Sequence, residues 1–247
     1  MTLEPQVLVH PDADAVAEAA AAAFVHRLAS AQAAGMIPQV ALTGGGIAET
    51  FHRAVAASPG EVDWSRVVFW WGDERFVEAD DDERNALQAR RALLDALPVD
   101  PANVHEAPAL TPGADPDATL AVAAQDYAAA LREHGASTFT VMLLGIGPDG
   151  HVASLFPGHA GVGVEDQLTV AVPNSPKPPP ARISLSLPVL NRSDAVWFLA
   201  AGEGKADAVR RSLEPGPVAE IPARGVRGLQ ETIYYVDEAA APPSARA

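Results

Sequence analysis

The chain has 247 residues, no cysteine and a formal net charge of −15 at pH 7. These properties exclude disulfides, thiolate metal sites and thiol catalysis, and a charge of this sign repels nucleic acid and anionic lipid surfaces. The length suits one large domain or two small ones, and we expect a single domain over residues 1–238.

The N-terminal segment lacks the features of a signal peptide or a membrane span. Its first residues, MTLEPQVLVHPDAD, are acidic, and the alanine-rich run behind them is broken by Glu18, His26 and Arg27. Such a run is too polar to cross a bilayer. We therefore expect a cytoplasmic protein with no membrane partner, and the absence of cysteine agrees with a reducing compartment.

Short apolar runs alternate with helical segments along the first half of the chain. Capping residues, periodicity and glycine or proline breaks set the boundaries. The predicted elements are a strand Gln6–His10, a helix that reaches Ala34, a strand Gln39–Thr43, a helix Ile47–Ala57, a strand Val67–Trp71 and helices Asn85–Leu94 and Asp117–Glu133. The acidic segment Glu78–Glu83 is expected to be a solvated loop.

The second half continues the alternation with more loop sequence. The predicted elements are strands Val141–Leu144, Ile183–Leu187, Ala195–Ala200 and Thr232–Val236, with a helix before the last strand that ends near Leu213. The proline-rich segment Ser175–Ala181 predicts an extended polyproline conformation. The terminal residues Ala239–Ala247 are expected to be disordered.

This order of elements predicts an α/β fold with a doubly wound, mostly parallel sheet and helices on both faces. Ligands of such folds bind outside the carboxyl ends of the strands. Four predicted strand ends carry unusual residues, namely Gly44–Gly46, Gly72–Arg75, Gly145–His151 and Gly202–Lys205. The four loops are expected to lie along one edge of the sheet and to form one active site.

The glycine turn after strand Val141–Leu144 contains two ionisable residues, Asp149 and His151. Its glycines match the dinucleotide pattern G-x-G-x-x-G, but that pattern requires a long helix directly after the turn. Pro157 and the glycines that follow it break any such helix. The turn therefore favours a catalytic histidine over a nucleotide site, and the alternative for His151 is a hydrogen-bonded structural role.

Several features near the strand ends suit an anionic ligand. The residues Gly44, Gly45 and Gly46 join a strand to a helix start, where free backbone amides attract anions. Lys205 follows a glycine turn that lacks the Walker pattern, so it is either aimed at a phosphate or a plain solvated lysine at a helix start. The four cations near the glycine loops are Arg75, Lys177, Arg182 and Lys205. Together they predict a local positive field of the kind a sugar phosphate requires. The histidines show no metal-binding spacing.

Five motifs resemble one known family when they are taken together. They are LTGGG (Leu42–Gly46), WGDERFV (Trp71–Val77) with Asn85 downstream, LLGIGPDGHVASLFPGH (Leu143–His159), RISLSLP (Arg182–Pro188) and AGEGKADAV (Ala201–Val209). They occur in the order of the 6-phosphogluconolactonase family, which belongs to a larger group with glucosamine-6-phosphate deaminase and ribose-5-phosphate isomerase. The match spans nearly the whole chain.

Two departures from related patterns bear on the function. The first turn of the family often contains a serine where this chain has Gly46, so phosphate binding there would rely on backbone amides. The deaminase branch carries an additional acidic residue after D-G-H, whereas Val152–Pro157 reads VASLFP. The resemblance therefore favours the lactonase branch.

The resemblance implies hydrolysis of 6-phospho-D-glucono-1,5-lactone to 6-phosphogluconate, in the oxidative pentose phosphate pathway. It implies His151 as the general base, Asp149 as its orienting partner or a turn-stabilising residue, and Arg75 as a charge-stabilising or substrate-binding residue. The implied phosphate-binding residues are Gly44, Gly45, Gly46, Arg182, Lys205 and Lys177. No metal, organic cofactor, nucleic acid or obligate protein partner is expected. The alternatives are a sugar-phosphate isomerase or deaminase and a non-catalytic sugar-phosphate sensor.

Overall fold

The structure, a computed structural model, describes residues 4–135 and 138–245. Within these residues the strands are β1 (Gln6–His10), β2 (Gln39–Leu42), β3 (Val68–Trp71), β4 (Asp73–Arg75), β5 (Phe139–Gly145), β6 (Thr169–Val172), β7 (Arg182–Leu185), β8 (Ser193–Ala200) and β9 (Glu231–Asp237). The helices are α1 (Ala13–Ala33), α2 (Gly46–Ala57), α3 (Asn85–Ala92), α4 (Pro116–His134), α5 (Leu187–Leu190) and α6 (Ala206–Leu213).

Six of the strands form one sheet in the order β1-β9-β8-β5-β2-β3. Every pairing in it is parallel. Successive strands are joined through helices, as parallel pairing requires, because a short hairpin cannot connect parallel neighbours. The predicted α/β fold is thereby confirmed, and the carboxyl ends of β2, β3, β5 and β8 lie along one edge of the sheet.

Both faces of this sheet are covered, because alternate residues of a strand point to opposite sides. In β5, Val141 and Leu143 pack in a cluster with α1, α2 and α3. Met142 and Leu144, which lie between and after them, pack in a second cluster with α4 and α6. The apolar run Val141–Leu144 within β5 is therefore typical of a strand buried on both faces.

A second sheet of three short antiparallel strands, β4-β7-β6, adds a feature that the sequence did not predict. The strand expected over Ile183–Leu187 begins at Arg182 and ends at Leu185 as β7, and α5 begins at Leu187. Only Gly72 separates β4 from β3, and its carbonyl accepts a hydrogen bond from the Leu185 amide at 2.9 Å. The chain thus crosses from the main sheet to the second sheet within one residue.

The expectation of a disordered tail is wrong for the first residues of that segment. Ala240 and Ala241 are fully buried. Asp237 fixes them, because its carboxylate accepts from the Ala240 amide at 2.7 Å and its carbonyl accepts from the Ala241 amide at 2.9 Å. The small side chains of these alanines and the hydrogen bonds to Asp237 hold the segment against the protein. Residues 246 and 247 lie outside the described residues.

The expected polyproline extension of Ser175–Ala181 is also wrong, because the Ser175 amide donates to the Pro180 carbonyl at 2.9 Å and the segment closes on itself. No helix in the described ranges is both long enough and apolar enough to cross a membrane.

His52 in α2 is buried, and neither of its ring nitrogens has a hydrogen-bond partner among the described residues. Burial lowers its pKa from 6.5 to about 4. The folded state therefore binds fewer protons than the unfolded state between these values, so this group lowers stability as the pH falls from 6.5 to 4. The unpartnered nitrogens also cost free energy at neutral pH.

His52→Leu is therefore expected to raise the free energy of unfolding by about 1–3 kcal/mol at pH 7. Its advantage over wild type should grow by about 3 kcal/mol as the pH falls to 4. Urea unfolding of both proteins at several pH values measures the difference. The control is His26→Leu at an exposed position of α1, where we expect a change within about 0.5 kcal/mol at pH 7. If the stability difference between His52→Leu and wild type stayed constant from pH 7 to pH 4, the lowered pKa of His52 would be contradicted.

Candidate active site

A cleft of about 270 Å³ lies at the carboxyl edge of the main sheet, beside the second sheet. The strand ends of β2, β3, β5 and β8 all contribute to it, as the sequence predicts. Seven of the predicted site residues line it: Gly44, Gly45, Arg75, His151, Lys177, Arg182 and Lys205. Gly46 instead lines an adjoining cavity of about 330 Å³. Asp149 does not line the cleft but contacts His151.

His151 and Asp149 form a pair at the end of β5. The imidazole Nδ1 lies 2.5 Å from the Asp149 Oδ1, and the His151 amide donates to the same oxygen at 3.3 Å. Burial by itself raises the pKa of Asp149, but the hydrogen bond and charge of His151 outweigh it and lower that pKa to about 2. Asp149 is thus a carboxylate at neutral pH, which favours the proton on Nδ1 and leaves Nε2 as the acceptor.

The glycines of this turn have distinct roles. At Gly147 a Cβ atom would overlap the His151 imidazole and lie 2.5 Å from the Asp149 Oδ1, so the pair exists only because this residue has no side chain. Gly150 has a φ of +85°, which residues with a side chain rarely adopt. Its carbonyl accepts from the Ala223 amide at 3.1 Å and ties the turn to the loop before β9.

The glycine turn after β2 forms another part of the cleft wall. Gly45 has a φ of +98° and precedes α2, whose first residue is Gly46, and no side chain caps this helix start. At Gly44 a Cβ atom would overlap the side chain of Asn85. The turn therefore offers backbone amides at the positive end of a helix dipole, a site that attracts anions.

Two lysines bring positive charge to the cleft from different sheets. Lys205 lies beyond β8, and its ammonium donates to the Ile146 carbonyl at 2.6 Å. Burial lowers its pKa, the neighbouring charge of Lys177 lowers it further, and Asp149 opposes both. Lys177 lies in the loop between β6 and β7. Because two ammonium groups that face one cleft repel each other, a bound dianion would relieve the repulsion.

Arg75 and Arg182 are directly opposite each other on the antiparallel strands β4 and β7. The Arg75 guanidinium donates to the Glu83 carbonyl at 2.5 Å, and its side chain is 18% exposed. Burial lowers the pKa of Arg182, and the charge of Arg75 adds to this effect. The Nε and Nη2 atoms of Arg182 donate to backbone carbonyls of the loop before β7.

Asp73 and Asn85 also line the cleft, and the sequence did not single them out as site residues. Asp73 Oδ2 accepts from the Ser154 hydroxyl at 2.6 Å, and its carbonyl accepts from the Asn85 amide group at 3.0 Å. Ala153, next to Ser154, has a left-handed φ of 49°. Asp73 stands at a strand end within the WGDERFV segment, and that position was the available signal, whereas Asn85 begins α3 and only its place downstream of the segment pointed to it.

The fully buried Glu74 organises this part of the site without facing the cleft. Its carboxylate accepts from the Arg75 amide at 2.8 Å, the Asn85 amide at 2.7 Å and the Ala86 amide at 2.8 Å. It thus joins β4 to the start of α3 and fixes the backbone from which Arg75 and Asn85 reach the cleft.

The cleft as a whole combines a proton acceptor with a positively charged wall. The Nε2 atom of His151 can take a proton from a nucleophile, and Asp149 can stabilise the imidazolium that forms. Among residues 4–135 and 138–245, no group of three or more histidine, aspartate or glutamate side chains is arranged to hold a metal ion.

Residues 11–235 match the sequence profile described as glucosamine-6-phosphate isomerases/6-phosphogluconolactonase. The chain is 46% identical to the 6-phosphogluconolactonase of Streptomyces coelicolor, over 98% of this chain and 95% of that protein. It is 41% identical to the 6-phosphogluconolactonase of Mycobacterium tuberculosis, over 97% of this chain and 98% of that protein. The crystal structure of the Thermotoga maritima 6-phosphogluconolactonase is similar with a TM-score of 0.83 and 25% identity, over 95% of this chain and 100% of that one.

Proposed function

Because the chain belongs to the glucosamine-6-phosphate isomerase/6-phosphogluconolactonase family, we propose that it hydrolyses 6-phospho-D-glucono-1,5-lactone to 6-phosphogluconate. The observation that carries this proposal is the His151–Asp149 pair, whose histidine lines a cleft together with four cationic side chains. A lactone needs a base for its attacking water, and its phosphate needs positive charge. Both requirements are met within one cleft.

In the first step of the proposed mechanism His151 Nε2 removes a proton from a water molecule. The water oxygen forms a bond to the lactone carbonyl carbon, and the carbonyl electron pair moves onto its oxygen. Asp149 holds the Nδ1 proton and stabilises the imidazolium, as the carboxylate of a hydrolase triad does. Such a base contributes roughly 10²- to 10⁴-fold to the rate.

In the second step the bond between this carbon and the ring oxygen breaks, and the carbonyl re-forms. The imidazolium returns its proton to the departing ring oxygen, so the product is a ring-opened hydroxy acid, which ionises in water. The negative charge of the tetrahedral intermediate requires a nearby donor. Arg75 is our candidate, because it lines the same cleft with an 18% exposed side chain.

The phosphate is proposed to lie against the remaining cations and the glycine turn. Lys177 and Lys205 supply ammonium groups, and the turn Gly44–Gly46 supplies backbone amides at the start of α2. Arg182 adds positive charge to the same wall of the cleft, and its Nε and Nη2 donate to the neighbouring loop. No step requires a metal ion or an organic cofactor.

The deaminase alternative is disfavoured by the segment that follows His151. Val152, Leu155 and Phe156 are buried apolar residues, and Ser154 is bound to Asp73. The segment therefore brings no carboxylate to the cleft, whereas the deaminase pattern includes one there. The sensor alternative leaves the His151–Asp149 pair without a purpose.

The proposal is tested by generating the lactone with glucose-6-phosphate dehydrogenase and following its disappearance after the purified chain is added. We expect consumption well above the spontaneous rate and no ammonia from glucosamine 6-phosphate. A rate equal to spontaneous hydrolysis would overturn the lactonase proposal. Binding of 6-phosphogluconate without turnover would support the sensor, and ammonia release would support the deaminase.

We also propose that the protein is a single-domain cytoplasmic enzyme without an obligate partner. The absence of cysteine suits a reducing compartment.

A further inference from the structure

The loop between β6 and β7 is unusual because it has more carbonyl acceptors than amide donors. It covers residues 173–181, and five of its nine residues are prolines. Proline has no backbone N–H, so such a loop cannot satisfy its carbonyls with its own amides. Donors for these carbonyls must come from side chains or from water.

Arg182 supplies those donors. Its Nε donates to the Pro179 carbonyl at 3.1 Å, and its Nη2 donates to the carbonyls of Pro178 at 3.1 Å and Lys177 at 3.3 Å. The residue is 6% exposed, and its guanidinium carbon lies 5.9 Å from the centre of the Phe156 ring. A planar guanidinium with five donors suits three converging carbonyls, whereas the single ammonium of lysine does not.

Ser175 closes the other side of the loop. Its hydroxyl donates to the Lys177 carbonyl at 3.0 Å and accepts from the Lys177 amide at 3.1 Å, and its own amide donates to the Pro180 carbonyl at 2.9 Å. Lys177 is therefore held on both sides of its backbone. Its side chain lines the cleft, close enough to Lys205 for the two charges to interact.

We propose that Arg182 is a positioning residue that folds the 173–181 loop so that Lys177 faces Lys205 across the cleft, and that Lys177 makes the contact with the substrate phosphate. This inference rests on the proposed function for the identity of the ligand. Arg182 and Lys177 carry the same charge, but the proposal gives them different roles: Arg182 orders the loop, and Lys177 binds the phosphate.

The kinetic test compares Arg182→Lys, Lys177→Met and the double variant. Lys177→Met is expected to raise KM by roughly 10- to 100-fold with kcat within about twofold, because a phosphate contact far from the reacting carbon binds substrate and transition state alike. Arg182→Lys keeps the charge but loses the three-carbonyl geometry, so we expect a KM increase of the same order. The double variant should be no worse than Lys177→Met alone.

A direct role of Arg182 in phosphate binding predicts a different pattern. Lysine at position 182 would then retain most of the affinity, and the effects of the two substitutions would multiply in the double variant. Either result would overturn the positioning role. The matched control is Arg192→Lys at an exposed position before β8, which should leave both KM and kcat at the wild-type values.

A second measurement needs no substrate. In hydrogen exchange, the amides of Ser175 and Lys177 should exchange about tenfold faster or more in Arg182→Lys, because the loop opens locally more often. Unchanged exchange would overturn the inference whether or not the lactone is hydrolysed. Faster exchange with an unchanged KM would also overturn it, since Lys177 would then have no role in binding. Inactive wild-type protein with faster exchange in the variant would contradict only the proposed substrate.

Discussion

The variant His151→Gln is expected to lose roughly 10²- to 10⁴-fold in kcat, with KM changed by less than about threefold. Glutamine can still form a hydrogen bond with Asp149, but it provides no basic nitrogen where Nε2 stands. The proton of the attacking water then has no acceptor with a suitable pKa. Binding should persist, because Lys177, Lys205 and the glycine turn are unchanged. The lactone assay measures both constants.

His159→Gln is the matched control for this change. His159 lies in the same connection between β5 and β6, where its side chain accepts from the Gly161 amide at 3.4 Å, and it does not line the cleft. Its replacement should leave kcat within about twofold of wild type. Full activity of His151→Gln would remove His151 from the base role, and an equal loss in both variants would indicate damage to the loop.

The second large effect is expected from Gly147→Ala, although this residue carries out no chemistry. The added methyl group would occupy the space of the His151 imidazole, so the ring must move away from Asp149. A displacement of about 1 Å at a reacting group can cost about 10²-fold in rate. We expect kcat to fall by at least that factor, with the loss concentrated in kcat and the melting temperature close to that of wild type.

Gly163→Ala is the control for Gly147→Ala. Its added Cβ would meet no atom within 4 Å, and its backbone does not have the left-handed φ that disfavours alanine. Kinetics and thermal unfolding of both variants separate a local effect from a global one. If Gly147→Ala kept wild-type kcat, the His151–Asp149 contact would not be needed for turnover.

The main sheet and the placement of the site could be predicted because buried parallel strands leave a strong signal. The run Val141–Leu144 in β5 carries no charge and is followed by Gly145. Four consecutive apolar residues are typical of a strand that is buried on both faces. Glycine turns and cations after several such runs then had to meet at one edge of the sheet. The position of His151 followed from the same reasoning.

Two strands of the second sheet, β4 and β6, could not be predicted because three and four residues are too few to show a period. β4 has three residues directly after Gly72, and β7 alternates the polar residues Arg182 and Ser184 with apolar ones although all four of its residues are buried. Its Ser184 is buried because its hydroxyl accepts from the Ser154 amide at 3.2 Å and donates to a backbone carbonyl. The hydrogen-bond partner that allows Ser184 to be buried thus lies thirty residues away in the sequence, where local pattern does not reveal it.

The tail and Arg182 show two other limits. Alanines at a chain end resemble a flexible segment, and only the contact with Asp237 reveals that they dock. Arg182 reads as one more cation, and only the positions of its donors show that two of its nitrogens already serve the adjacent loop. The sequence shows the charge of a side chain but does not show which groups accept its hydrogen bonds in the folded protein.

Because the chain crosses at Gly72 from the main sheet to the second sheet, the residues of the site come from both sheets. The proposed base, the glycine turn and Lys205 belong to the main sheet, whereas Arg75, Arg182 and Lys177 belong to the second sheet or its loop. The proposed base and the cations Lys177 and Arg182 therefore stand on different sheets. A change in the loop between β6 and β7 is therefore expected to alter the proposed phosphate contact of Lys177 without changing β5, the strand that leads into the turn of His151.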